Sequence, residues 1–309
     1  MARNAYHAFQ TFDEIMRFWA KERPEGHAFD QEGRVTSYVE ADVLTRQLIA
    51  LMQARGIAAG DRVAWLGKNR DSYFLLYIAG EVPANPEVIE AEAARTAAAG
   101  FEPADYTPPG PHDPVLQLYT SGTTGNPKGA MLSNTNLLGL RNAGNEAGLD
   151  WQFYEADDCM LVAMPCAHIG GTGLVNIAIA NGVRSLVQAE FTPVGVLEAI
   201  EAGATHMFIV PAALQMVVQH PRAATTDFSN LKYLMYGAAP MPLELLKEAV
   251  RTMPTTKFLQ AYGMTETSGT ISILPPEDHS LEGNQRMRSA GKACPGVEIE
   301  VRGPDNAEV

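Results

Sequence analysis

Between Tyr119 and Gly129 the chain reads Tyr-Thr-Ser-Gly-Thr-Thr-Gly-Asn-Pro-Lys-Gly. Four small hydroxyls (Thr120, Ser121, Thr123, Thr124), three glycines (Gly122, Gly125, Gly129) and Lys128 fall within eleven residues. Glycines let backbone N–H groups approach a phosphate, hydroxyls donate further hydrogen bonds, and a lysine adds a mobile positive charge. The spacing is not the Walker A pattern, since Lys128 follows Pro127 and precedes Gly129. Taken by itself the stretch reads equally well as a flexible Ser/Thr/Gly linker.

Three further clusters carry candidate chemistry. Gln260–Thr267 reads Gln-Ala-Tyr-Gly-Met-Thr-Glu-Thr. Tyr262 could stack on a base beside Gly263, Thr265 could bond a phosphate, and Glu266 could hold Mg²⁺. Alone, this cluster reads as a strand-to-loop turn with a surface glutamate. Tyr236–Pro240 places Gly237, Ala238, Ala239 and Pro240 after a strand. Such small residues admit a flat ligand, or equally a closely packed helix. Met164–Gly171 sets His168 among apolar and small residues. A lone histidine there reads first as a hydrogen-bonded structural residue, and Cys166 as a buried structural thiol rather than a nucleophile. The other histidines (His7, His27, His112, His206, His220, His279) show no metal-ligand spacing, and no Gly-x-Ser-x-Gly, His-Glu-x-x-His or Cys-x-x-Cys pattern occurs.

The elements that must hold these clusters follow from periodicity. Candidate strands are Val115–Tyr119, Cys159–Ala163, Arg184–Val187, His206–Val210, Leu231–Tyr236 and Lys257–Ala261. Helical patterns near Asn136–Ala147, Gly173–Ala180, Val194–Ala202, Ala212–Gln219 and Pro242–Val250 separate most of them. The alternation predicts an α/β fold of mainly parallel sheets flanked by helices, with ligands at the carboxyl ends of the strands. Upstream, Thr11 and Glu14 form a capping-box signal, and Ala28–Tyr38 reads as a hairpin turning at Glu32-Gly33. A helix follows from about Glu40 with the stripe Leu44, Leu48, Leu51, Met52, ending before Gly56. Arg62–Leu66 reads as a short strand, and Asp71 starts another helix. Residues 81–114 hold seven of the 20 prolines. They read as a Pro/Ala-rich boundary with one weak helix, capped by Asn85, begun at Pro86 and ended before Gly100. The expected organisation is an N-terminal part at 1–80, that boundary, an α/β core at 115–280, and the start of a β subdomain at 281–309.

Composition narrows the function classes. The chain has 309 residues, 46% apolar and 19% charged, with net charge −13. A surface this acidic disfavours nucleic acid as main partner. Three cysteines without paired spacing predict no disulfide framework and fit a reducing compartment, so a cytoplasmic location is expected. No signal peptide or membrane span is visible. The greasiest stretch, Cys159–Ala180, is broken by Pro165, His168, glycines and Asn176.

The four clusters, in this order, resemble the adenylate-forming superfamily of acyl-CoA synthetases, luciferases and nonribosomal peptide adenylation domains. Pro165-x-x-His168-Ile-Gly-Gly and Arg288–Ile299 look most like bacterial acyl-CoA synthetases for fatty or aromatic acids. The resemblance implies ATP-dependent activation of a small-molecule carboxylic acid to an acyl-adenylate, then thioester formation with coenzyme A. It places Thr120, Ser121, Gly122, Thr123, Thr124, Gly125 and Lys128 around the pyrophosphate end of ATP. It places Gly237, Ala238, Ala239 and Pro240 against adenine or the acyl pocket, and Tyr262, beside Gly263, on adenine. It gives Thr265 the α-phosphate, Glu266 the Mg²⁺, and His168 the border of the acyl pocket. It also implies a shortened segment before the phosphate loop and a missing C-terminal lid domain. The matching expectations are slow turnover by the isolated chain, or a nucleotide-binding remnant, and self-association through uncovered strand edges.

Overall fold

The computed structural model describes residues 8–58, 60–79, 91–121 and 126–307. The chain begins with α1 (Phe12–Glu22), where Thr11 and Glu14 close the expected capping box. Strands β1 (His27–Gln31) and β2 (Arg34–Ser37) form the expected hairpin. Its turn residues Glu32 and Gly33 have φ of 53° and 80°, the left-handed pair that suits the strand twist. A second capping box, Ser37 with Glu40, opens α2 (Tyr38–Ala54). Next come α3 (Asp71–Ala79) and α4 (Ala91–Ala98). The Asn85-Pro86 start expected for the weak helix lies outside the described residues. Its C-terminal half is α4, which packs on α2 and α3. Arg95 there joins Arg34 on the fully buried carboxylate of Asp71, at 2.7 and 3.1 Å.

A two-stranded hairpin follows, β3 (Pro114–Thr120) with β4 (Lys128–Ser133). Then come α5 (Asn134–Glu146), β5 (Cys159–Val162), α6 (Ile169–Asn181), β6 (Arg184–Val187), α7 (Pro193–Glu201) and β7 (His206–Ile209). The chain continues with α8 (Pro211–Val218), β8 (Tyr233–Gly237), α9 (Leu243–Thr252), β9 (Lys257–Met264), β10 (Gly269–Leu274) and β11 (Lys292–Ala293).

Among the described residues, one sheet takes the order β11-β10-β9-β8-β7-β5-β6-β1-β2. Its middle, from β9 to β1, is parallel, and antiparallel strands finish both edges. Strands β5 and β7 are buried along their whole length, as parallel strands covered on both faces must be. After β5 the chain turns first to β6 on one side and then to β7 on the other, so the strand order reverses there. Right-handed crossovers to opposite sides give two helical layers. In one, α1 and α5 pack on α6; in the other, α7, α8 and α9 pack in succession. Gly182, at φ 66°, ends α6, and the Trp19 ring lies 2.5 Å from where a Cβ would sit.

One expected strand does not form. Arg62–Leu66 is irregular and mostly exposed, with Leu66 fully open to solvent. Its apolar spacing suits a strand, but a strand needs an edge to pair with. Among the described residues this segment pairs with no strand. Also among the described residues, no helix is long and apolar enough to cross a membrane.

The amino end of the sheet holds a buried polar group away from the motifs. His206 is packed between Tyr154 and Tyr233, with ring centroids 4.8 and 5.3 Å away. Its Nδ1 lies 2.8 Å from Thr205 Oγ1 and 3.9 Å from Asp158 Oδ1. Asp158 is also bridged by Lys232 at 2.8 Å. Burial drives the His206 pKa well below its ordinary value, and the Lys232 charge adds to this against the opposing pull of Asp158. Burial alone would raise the Asp158 carboxyl, but the Lys232 hydrogen bond, His206 and the Glu155 amide together hold it low. Both shifts act in one direction. Below the unfolded histidine value near 6.5 the unfolded chain binds the proton that folded His206 refuses, so stability falls with falling pH. Full stability is present above that value. The expected loss between pH 7 and pH 5 is on the order of 2 kcal/mol from His206. Urea midpoints measured across that range should flatten in His206→Phe, which keeps the ring stack; an unchanged acid slope would assign it to other groups.

Candidate active site

Three of the four motifs lie at the carboxyl ends of parallel strands β5, β8 and β9, and the first is brought against the turn after β9. The first is carried by the separate hairpin, where Thr120 ends β3, Lys128 starts β4, and the two are cross-strand partners. Lys128 and Ser121 are exposed and Thr120 half-buried. Beside Gly129 lies the Gln117 side chain, whose amide would have to move aside for a Cβ there. The candidate phosphate residues Gly122, Thr123, Thr124 and Gly125 lie outside the described residues.

The second motif forms the turn between β9 and β10. Tyr262 is half exposed, and Gly263 pairs with Thr270. Thr265–Thr267 is a single 3₁₀ turn, fixed by the Thr267 hydroxyl accepting from the Met264 amide at 3.0 Å. This turn presents Glu266 to the first motif. The Thr120 hydroxyl donates to Glu266 Oε1 at 3.0 Å, across 146 residues of sequence.

The third motif leaves β8. Gly237 is buried, and a Cβ there would stand 2.1 Å from the Ala261 carbonyl, so close strand approach explains this glycine. Ala238 then adopts φ 65°, a conformation that costs a non-glycine residue energy, and Ala238, Ala239 and Pro240 are exposed. The fourth motif follows β5, at the point where strand order reverses, the usual place for a ligand crevice. His168 is exposed and caps α6 through its backbone. Gly171 permits a tight turn, since a Cβ would meet the Pro165 carbonyl at 2.3 Å. Cys166 is buried, and burial pushes its thiol up to about 11, as a structural thiol requires. The cysteines Cys159, Cys166 and Cys294 are all free and buried.

Between α5, α6 and the strands lies a cavity of about 450 Å³. Ala238 and Gly263 reach its wall from two motifs, and Ile169 and Gly170, the neighbours of His168, from a third. Leu138, Leu174, Phe208 and Met235 make much of the lining apolar. The structure thus brings Thr120, Lys128 and Glu266 together at the surface, with Gly263 and Ala238 linking that surface to a half-open, mostly apolar cavity. His168 itself is not on the cavity wall.

Two supporting groups had no sequence signal. Asn69, which is buried, donates through Nδ2 to the Met164 and Gln188 carbonyls at 3.0 and 3.1 Å, and accepts from the Cys166 amide at 2.7 Å. It fixes the loop that leads to His168. Tyr236 donates to His279 Nε2 at 3.0 Å, while His279 Nδ1 donates to the Pro275 carbonyl at 3.0 Å. Burial lowers the His279 pKa, which keeps this neutral tautomer. The pair braces the start of the Gly237–Pro240 segment.

The geometry has counterparts among known proteins. A family model described as AMP-binding enzyme matches residues 75–309. A fatty acid–[acyl-carrier-protein] ligase, ScoC of Streptomyces coeruleorubidus, is 31% identical over 97% of this chain and 67% of its own length. A feruloyl-CoA synthase of an Amycolatopsis species is 31% identical over 94% of this chain and 66% of its own. The chain therefore spans about two thirds of the length of these curated relatives. Among solved structures, ATP-bound MatB from Rhodopseudomonas palustris superposes with a TM-score of 0.80 at 25% identity, over 97% of this chain and 68% of that one. The N-terminal domain of FACL13 from Mycobacterium tuberculosis gives 0.78 at 23% identity, over 97% and 86%, a likeness of fold.

Proposed function

We propose, because this chain belongs to the AMP-binding enzyme family, that it activates a carboxylic acid with ATP, forming an acyl-adenylate and pyrophosphate. The observation that carries this reading is the Thr120–Glu266 hydrogen bond. It sets the hydroxyl- and lysine-bearing hairpin against the carboxylate turn, at the mouth of a mostly apolar cavity. A carboxylate oxygen of the acid attacks the α-phosphorus, the bond to the pyrophosphate oxygen breaks, and pyrophosphate leaves. Negative charge builds on phosphate oxygens, so fixed donors and cations are what the step needs. Thr120, Ser121, Thr123, Thr124 and Lys128, with the backbone at Gly122 and Gly125, would take the pyrophosphate end. Thr265 would take the α-phosphate. Tyr262 would stack on adenine, and Gly237, Ala238, Ala239 and Pro240 would lie against adenine or the acyl pocket. His168 would border the entry to the acyl cavity.

The donor set at Glu266 fits a hard divalent cation. One carboxylate beside one hydroxyl, both oxygen, suits Mg²⁺, which keeps several waters and takes phosphate oxygens as its other ligands. When bound, it would neutralise phosphate charge. The acid would be fatty or aromatic, since the relatives' names include both kinds. A thiol sulfur would then attack the acyl carbon, displacing AMP and losing its proton to solvent. Coenzyme A is the proposed acceptor, though one relative's name specifies an acyl carrier protein. Three buried free thiols suit a reducing compartment such as the cytoplasm.

Calorimetric titration with Mg·ATP tests the reading. Lys128→Ala and Tyr262→Ala should each weaken binding about tenfold, the value of one charge-assisted contact or one base stack. Pyrophosphate release should depend on added fatty or aromatic acid. Unaltered nucleotide affinity in both variants would remove these residues from the nucleotide site.

A further inference from the structure

Asn176 sits in the middle of α6 and lines the cavity. It is 4% exposed, yet neither its Nδ2 nor its Oδ1 has a hydrogen-bond partner. Among the described residues it is the one side-chain amide with both atoms buried and unpartnered. The contrast with Asn69 and Asn134 is plain, because those buried amides are bonded. Trp19 Nε1 and Ser185 Oγ, also buried without a partner, do not belong to the cavity lining. A buried amide left unmade on both atoms destabilises the fold, whereas leucine would pack there without that penalty. Both amide atoms are closed to solvent as placed, so an occupant of the cavity meets the donor and acceptor of Asn176 once the side chain turns toward the lining.

Position sets where that occupant must be polar. Asn176 follows Ile169, at the start of α6, by seven residues, roughly 10 Å along the helix axis. An acid whose carboxylate lies at the motif end of the cavity would meet Asn176 with its far end. Gly139 and Gly173 also line the cavity, and a Cβ at either would meet nothing within 4 Å. Those glycines leave space for a tail of this length. Gln152, also buried, lines the same cavity and adds a second amide to its polar groups.

We propose that Asn176 is a specificity-determining residue and that the acid activated here carries a hydroxyl or carbonyl oxygen in its tail, bonded by the Asn176 amide. This rests on reading the cavity as the acyl site. A site built to hydrogen-bond a substrate oxygen rejects the analogue that lacks it, because the buried amide then stays unpaired.

The test is equilibrium titration of the full chain, loaded with a non-hydrolysable ATP analogue and Mg²⁺, with two matched pairs of acids. One pair is 4-hydroxycinnamic and cinnamic acid; the other is 10-hydroxydecanoic and decanoic acid. In the unmodified chain the oxygenated member of at least one pair should bind about 10-fold or more tighter, the low end of the effect of leaving one buried polar group unpaired. Asn176→Leu should cut that preference to less than threefold while keeping or raising the thermal midpoint, and Asn176→Ser should lie between. Equal affinity within both pairs overturns the proposal and leaves the acyl site standing, with water serving the amide. A preference that survives Asn176→Leu overturns it by placing the contact elsewhere. Nucleotide binding without binding of any of the four acids overturns both this proposal and the acyl reading of the cavity.

Discussion

Glu266→Gln lowers acid-dependent pyrophosphate release by about 10²–10³-fold, the range found when one electrostatic stabiliser of a transition state is removed. Glutamine keeps an oxygen that accepts from the Thr120 hydroxyl, so the 3.0 Å link between the two hairpins is preserved. What is lost is a unit of negative charge at the place proposed for the cation. Raising the Mg²⁺ concentration should therefore recover part of the activity. Glu266 is exposed, so the urea midpoint should stay within about 0.5 kcal/mol of the unmodified protein. Thr120→Val is the complementary variant. It keeps the charge and deletes the hydrogen bond, and its smaller effect would separate orientation from charge. Turnover within threefold of normal in Glu266→Gln would remove this carboxylate from the chemistry.

The second large effect is mechanical. In Gly263→Ala the added Cβ would stand 1.7 Å from the Gly269 carbonyl oxygen, a backbone atom of the adjacent strand. No side chain can swing aside to relieve it, so β9 and β10 must separate. The loss is about 3 kcal/mol, the upper end for forced overpacking. Gly263 lies between Tyr262 and Thr265, so the same shift moves both proposed nucleotide contacts. Denaturation midpoints and Mg·ATP titration should fall together, with nucleotide affinity down by more than tenfold. A stable variant with normal affinity would show that the turn tolerates a different register.

Local signals in the sequence proved reliable where the physics is local. Thr11 with Glu14, and Glu32 with Gly33, specify a cap and a turn through contacts within a few residues. Buried strands such as Cys159–Val162 announce themselves as apolar runs. The misses have a common cause, namely pairing or packing with distant chain. Arg62–Leu66 has strand-like spacing but pairs with no described strand. Strand β9 continues to Met264, past the expected end at Ala261, because β10 pairs with that extension; β10 itself, β11 and β4 carry no clear period. Helix α6 starts at Ile169 rather than Gly173, because Gly170 is packed against the Phe208 ring and Gly171 against the Pro165 carbonyl rather than left loose. Convergence of the four motifs was legible from their order. The cavity, the unpaired Asn176 amide and the brace from Asn69 were not, since each depends on how helices meet in space.

The position of β1 in the sheet has a consequence for biosynthesis. Phe29 pairs with Ser185 of β6, 156 residues further along the chain, and Phe29 is fully buried in the finished fold. At ribosomal speeds of about 5–20 residues per second, roughly 8–30 s separate the emergence of β1 from that of its partner. For that interval the nascent hairpin carries an apolar face and an unclaimed row of amides. A trigger-type chaperone that holds such segments is therefore expected to raise the soluble yield. Slowing translation before β6 should lower it.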